Sequence, residues 1–393
     1  MKNNATPIGT KIFRNLAAML TKTPARKIVL STTAVLVVLV FFTQCISTKK
    51  SASATGQLAA SELHPFGRTV MADQGLSLIS SAVNFGFTFE GTECSLTASV
   101  PQWLDHNYLQ YELDGVYQKR LRVFSKSGEP IVISATGNGP HTVWIYKATE
   151  AQTGPVYIAG VSGKSLKSLQ RPAAALIEFI GNSITCGAAA DPSEVPCGTG
   201  VYHDQHNAYL AYGPRVARAL GANFLMSCVS GIGIYRNWNS DGPTMPQVYE
   251  KTELQESGKE QWNFGSYKPG IVSIALGTND FSRGDGKKTR QPFDSAKFVS
   301  TYVNFVQLVK TKYPSAKVAL LSSPMVNGDA RELLQNCLTA VKQNVDARNP
   351  SDKPVSVFFF KPMQASGCSG HPNVQEHAVL AEELLPFFKQ LLQ

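Results

Sequence analysis

The chain has 393 residues, 43% of them hydrophobic, which is a globular composition with room for two ordinary cores. Its formal charge of +9 is an end effect, because eight of the 37 basic residues and none of the 28 acidic ones fall in residues 1–50. A nucleic-acid binder needs its basic patch on the folded part, which here is close to neutral, so that class is excluded.

Residues 1–61 read as a targeting region. A base-rich start precedes "IVLSTTAVLVVLVFF" (28–42), whose length suits an export signal or short membrane anchor more than a full span. Basic residues upstream hold that end in the cytoplasm, so export is expected, with membrane contact only through this segment. Cys45 follows directly and is a possible lipidation point, although Gln44 stands where a lipobox has a small residue. Residues 47–61 are Ser/Ala/Thr-rich and read as a linker.

Residues 62–168 change character. "VNFGFTF" (83–89), "YLQYEL" (108–113), "KRLRVF" (119–124), "PIVISA" (130–135) and "HTVWIYKA" (141–148) are short runs rich in β-branched and aromatic residues. Turn residues separate them and no helical period stands out, which predicts an antiparallel β-sandwich. Trp144 is assigned to its core.

Residues 172–393 alternate between types. Apolar runs near 176–180, 223–229, 271–276, 317–322 and 355–360 are separated by helical patterns near 206–220, 294–313, 329–346 and 373–392. Such alternation predicts a parallel sheet covered on both faces, with ligands at the carboxyl ends of its strands. The first run ends in Gly181-Asn182-Ser183. The second leads into Gly231 and Gly233, the third into Thr278-Asn279-Asp280, and the last precedes His371-Pro372-Asn373. A hydroxyl, approachable backbone amides, a carboxamide and an imidazole on one sheet edge form the set that acyl transfer requires. Each feature also has a plainer reading: Ser183 as a helix cap, and His371-Pro372-Asn373 as a helix start. Tyr235 and Trp238 are either a sugar platform or packing under a loop. His377 is expected to be structural, and Asp280 to brace its own turn.

Seven cysteines in an exported chain point to disulfides. Spacing favours Cys186 with Cys197, and less strongly Cys337 with Cys368, which leaves Cys94 and Cys228 as buried thiols. No metal is expected: His203 and His206 in "YHDQHN" lack a third ligand and read as solvated loop or cap residues. No cofactor is expected, and a monomer is.

The blocks "GNSIT", "SGIG", "GTND" and "HPN", in that order and each at a strand end, resemble those of the GDSL/SGNH hydrolases over residues 175–393. With the β-sandwich in front, the architecture is similar to that of the family 2 carbohydrate esterases, which act as acetyl esterases. The resemblance implies a three-layer, flavodoxin-like α/β domain behind a jelly-roll-like sandwich. It implies Ser183 as nucleophile, His371 as base, and an oxyanion hole from the Ser183 and Gly231 amides and the Asn279 side chain. Two positions depart from the family pattern. Asn182 replaces an Asp, and Cys368 stands where an Asp three residues before the histidine usually orients it. A main-chain carbonyl near Ser369 or Gly370 is expected in its place, with a Cys368 disulfide stiffening the loop. The implied activity is removal of O-acetyl groups from a polysaccharide such as xylan or glucomannan. Alternatives are an acetylated peptidoglycan or other bacterial glycan as substrate, or a glycan-binding protein that has lost catalysis.

Overall fold

A computed structural model describes residues 55–125 and 129–393. The leader, the anchor and Cys45 lie outside the described residues. Among the described residues no helix is long and apolar enough to cross a membrane.

Among the described residues nine strands form one antiparallel sheet: β1 (Thr55–Ala59), β2 (Thr69–Ala72), β3 (Gly75–Leu78), β4 (Asn84–Ser99), β5 (His106–Leu113), β6 (Val116–Phe124), β7 (Ile131–Ser134), β8 (Pro140–Lys147) and β9 (Val156–Leu169). Their order is β2-β3-β9-β4-β8-β5-β6, with β1 added on β9 and β7 on β4. Hydrogen bonding is therefore continuous, where a sandwich of two separate sheets was expected. The reason lies in β4 and β9, whose mutual register shifts at three places, after Thr88, after Glu90 and after Thr97. Such irregularities bend a strand and increase its twist, and the sheet curls around a core that includes Phe85, Phe87, Leu109, Ile145 and Ile158. Residues 55–59, read as linker, are a paired strand instead. β9 went unnoticed because Gly160, Gly163 and its Ser and Lys residues dilute the strand pattern.

The second sheet is parallel: β10 (Leu176–Gly181), β11 (Asn223–Cys228), β12 (Ile271–Ala275), β13 (Lys317–Leu321) and β14 (Ser356–Phe358), in the order β11-β10-β12-β13-β14. The long helices are α1 (Tyr212–Ala219), α2 (Ser295–Lys312), α3 (Asp329–Arg348) and α4 (Val374–Leu392). Successive strand residues feed opposite cores, as their nearly unbroken apolar sequence requires. Ile177 and Phe179 pack with Val216 of α1 and Leu384 of α4. Ile180 and Ile274 pack with Phe298 of α2 and Leu334 of α3. The chain reverses its direction of strand addition between β10 and β12, which opens a crevice at their carboxyl ends.

Arg68, just before β2, joins the two sheets. Its buried guanidinium donates to Ser227 Oγ (3.2 and 3.1 Å), the Lys251 carbonyl (2.7 Å) and the Tyr249 carbonyl (3.1 Å), and lies 4.0 Å from the buried Glu178 carboxylate. Burial lowers its pKa and Glu178 opposes that shift.

Candidate active site

The turn after β10 is built for close contact. A Cβ at Gly181 would come within 2.0 Å of Thr185 Oγ1, so only glycine fits there. Asn182 Oδ1 accepts from the Ile184 amide at 3.1 Å and caps the helical turn Ser183–Cys186. The cap is thus Asn182, which leaves the Ser183 hydroxyl free of that duty.

The loop after β11 is held from its neighbour. Asp280 accepts from the amides of Ile234 (3.0 Å), Tyr235 (2.9 Å) and Arg236 (3.2 Å). Burial raises its pKa, and those amides oppose the rise. Asp280 therefore braces the adjacent loop as well as its own turn. Gly233 donates its amide to Asn237 Oδ1 (3.0 Å), so that group is committed, while Gly231 faces the cavity described below. Asn279 gives one side-chain hydrogen to the Ile232 carbonyl (2.7 Å), which fixes its amide and leaves a second donor. Arg290 ties the Asn279 carbonyl (2.5 Å) to that of Asn237 (2.6 Å).

His371 follows two residues with left-handed φ, Ser369 (53°) and Gly370 (70°). Its loop is tied to the segment after Ser183: Cys368 donates to the Ala189 carbonyl (3.1 Å) and Val374 to that of Ala190 (3.1 Å). Cys368 is also bridged to Cys197, and Cys186 to Cys228. Neither expected pairing forms, and among the described residues Cys94 and Cys337 are the free thiols, both buried. Parallel register sets Gly181 beside Cys228, so the helical turn carries Cys186 onto the end of β11. Burial lowers the His371 pKa, and His206 lowers it further. The Cys368 and Ser369 carbonyls and Glu150 act in the opposite sense. Those carbonyls lie near the ring without reaching hydrogen-bond geometry, and Nδ1 is buried with no partner.

Ser183, Gly231, Asn279 and His371 line a single cavity of about 560 Å³, together with Gln152, Tyr202, Thr278 and Trp238. Trp238 is 45% exposed at its edge. Tyr235 packs on Phe293 and Phe298 while its hydroxyl accepts from the Asp294 amide (3.0 Å), and it is not among the residues lining that cavity. Trp144, assigned to the core of the β-rich segment, instead packs partly buried against the cluster of Ile177 and Phe179, with the Arg171 guanidinium 3.7 Å from its ring centroid.

Sequence reasoning missed Glu150, which follows β8 in the curled sheet. It is fully buried and accepts from the Ser230 amide (2.5 Å) and His206 Nε2 (3.2 Å). His206 Nδ1 accepts from the Ala189 amide (3.3 Å), which assigns the ring proton to Nε2. His206 and His203 are buried rather than solvated, and the cap alternative fits: His206 is the C-cap of the short helix Tyr202–Gln205, which contains His203. Nothing in a single sequence marks an acid after one strand as the partner of a loop 80 residues away.

Among the described residues, His106, His203 and Asp204 bring one ligand atom each within 4.8 Å of the others. The cluster takes His203 and Asp204 from "YHDQHN" and His106 from β5, and His206 is not part of it. These atoms already bond within the protein: His106 Nε2 meets Asp204 Oδ1 at 2.5 Å, and Arg122 Nη2 stands 2.9 Å from His106 Nδ1. A guanidinium in that place opposes a cation, so the donor set fits a hydrogen-bonded clasp between the sheets. His377 is buried and accepts from the Tyr212 amide (3.3 Å), a structural position.

Residues 66–172 match the carbohydrate esterase 2 N-terminal family, and residues 179–352 the GDSL-like lipase/acylhydrolase family. A cellulase/esterase of Acetivibrio thermocellus is 32% identical over 326 residues, 79% of this chain but 37% of that protein's length. An acetylxylan esterase / glucomannan deacetylase of Cellvibrio japonicus is 26% identical over 90% of this chain and 96% of its own. A family two carbohydrate esterase from Clostridium thermocellum, solved in complex with cellohexaose, superimposes with a TM-score of 0.71 at 29% identity, covering 86% of this chain and 99% of that one.

Proposed function

The chain belongs to the GDSL-like hydrolases with a family 2 carbohydrate esterase N-terminal domain, and on that premise we propose that it is an exported serine esterase removing O-acetyl groups from a neutral polysaccharide. One observation carries the reading: a hydroxyl, a loop amide, a carboxamide and an imidazole from four separate strand ends line one cavity.

Ser183 Oγ attacks the acetyl carbonyl while His371 takes its proton. The oxyanion is held by the amides of Ser183 and Gly231 and the remaining Asn279 hydrogen, each donor being worth roughly 3–4 kcal/mol in such sites. Collapse breaks the bond to the sugar oxygen, which leaves with the proton from His371. Water, deprotonated by the same ring, then releases acetate and restores Ser183. A lowered pKa keeps the imidazole unprotonated and able to act as base near neutrality. The carbonyl acceptor expected near Ser369 or Gly370 does not bond Nδ1; the Cys368 and Ser369 carbonyls nearby and the Glu150 charge at longer range favour the protonated ring electrostatically.

Among the described residues no Lys or Arg lines the cavity, which favours a neutral glycan such as acetylated xylan or glucomannan over an anionic one. The relative from Cellvibrio japonicus, an acetylxylan esterase / glucomannan deacetylase, points the same way. The test is acetate release from acetylated xylan, glucomannan and murein. Wild type should release it from the first two, and Ser183→Ala from none. Full activity in Ser183→Ala overturns the mechanism, and a preference for murein overturns the substrate class.

A further inference from the structure

Two further cavities continue from the active site. One of about 610 Å³ shares Gln152, Ser230, Gly231 and Trp238 with it and extends past Asn239 and Gln255. The other, of about 260 Å³, shares Gln152 and Gln255 with the first and lies against the curled sheet, where Tyr157 and Trp103 line it. Gln152 lines all three, so the cavities adjoin at that side chain, between Ser183 and the N-terminal sheet.

Trp103 at the far end is 72% exposed, an unusual setting for the largest apolar side chain. It is nonetheless supported: a Cβ at Gly154 would meet its ring at 2.8 Å, so glycine lets the indole settle on the backbone. Carboxamides, Gln152 and Gln255 among them, line the cavities together with the two exposed indoles, and among the described residues no lysine or arginine lines any of the three. Flat apolar faces with amide donors and acceptors beside them suit a chain of pyranose rings, which presents apolar ring faces and peripheral hydroxyls. The absence of basic side chains, with Glu253 and Glu256 at the cavities, excludes an anionic polymer.

We propose that Trp103 is the floor of a remote subsite on the N-terminal sheet, holding the unsubstituted part of a neutral glycan whose acetylated residue lies at Ser183. The curled sheet then binds substrate as well as buttressing the site. This rests on the glycan-esterase reading above, and the experiment separates the two.

Binding is measured by calorimetry on Ser183→Ala protein, where catalysis plays no part, with unacetylated xylose, glucose and mannose oligomers of two and six residues. At least one hexamer should bind more tightly than its dimer. Adding Trp103→Ala should weaken that hexamer about tenfold, equivalent to ~1.4 kcal/mol, leave the dimer unchanged, and be partly reversed by Trp103→Phe. In the otherwise wild-type enzyme, Trp103→Ala should raise KM for acetylated polymer and leave 4-nitrophenyl acetate hydrolysis intact. Hexamers that bind no better than dimers, or that ignore Trp103, overturn the subsite while acetate release by the wild type still supports the esterase. A wild type that releases no acetate removes the esterase reading whatever the oligomers do.

Discussion

Replacing Glu150 by Gln tests whether a residue following β8 of the curled sheet supports catalysis at the edge of the parallel sheet. The carboxylate accepts from two donors, Ser230 N–H at 2.5 Å and His206 Nε2 at 3.2 Å, with no solvent access. Glutamine keeps one acceptor and turns an NH₂ toward the other donor. One buried N–H is then left unsatisfied, at about 1–3 kcal/mol, and the surviving bond loses its charge assistance. Together these predict a stability loss of ~2–4 kcal/mol. Ser230 immediately precedes Gly231, so displacement of that amide should lower kcat about 10–100-fold, within the cost of losing one oxyanion donor. A loss of structure would do as much, so the decisive readout is pH. The Glu150 charge favours protonated His371. Removing it lowers that pKa further, so the acid limb of kcat/KM should move to lower pH in Glu150→Gln and stay nearer its original position in Glu150→Asp. The assay is 4-nitrophenyl acetate hydrolysis across the acid range, beside urea unfolding of each variant. An acid limb that stays put or moves upward would refute the electrostatic link.

Three other outcomes follow from the same geometry. Opening the Cys197–Cys368 bridge, by Cys197→Ser or by reductant, should free the His371 loop, lower the melting temperature and reduce kcat; the bridge closes a separation of 171 residues, for which chain-entropy estimates reach about 5 kcal/mol. An unchanged rate would show that the loop needs no such support. Arg68→Ala should cost roughly 3–5 kcal/mol in urea unfolding by leaving Glu178 buried without its cation, and a loss below 1 kcal/mol would count against that pairing. Burial holds His203 down to about 4 and His377 to about 3, so the unfolded chain binds more protons than the native one below pH ~6.5. Stability from each is complete above that value and declines as pH falls, by up to ~1.4 kcal/mol per pH unit per histidine. His377→Gln should flatten the slope between pH 4 and 6, and an unchanged slope would rule His377 out as a source.

The parallel sheet was legible because burial on both faces forces its strands to be apolar throughout, and one chain suffices to reveal that. The ends of those runs carry Ser183, Gly231, Asn279 and His371, and the rule that ligands gather at the carboxyl edge made them candidates before any coordinates. The capping residue was misplaced by one: the plainer reading offered Ser183, and the structure gives the cap to Asn182, whose Oδ1 accepts from the Ile184 amide.

What the sequence left open depends on neighbours remote along the chain. The disulfide partners were misread because spacing says nothing of register, and the pairing of β10 with β11 is what carries Cys186 to Cys228. Tyr235 and Trp238 lie three residues apart in one loop, yet packing against Phe293 and Phe298 withdrew one ring and left the other at the cavity. Glu150 and Trp103 carry no local pattern at all. Their placement arises when a strand-rich segment curls and docks beside the parallel sheet, where burial and charge act between groups that only the closed tertiary fold brings together.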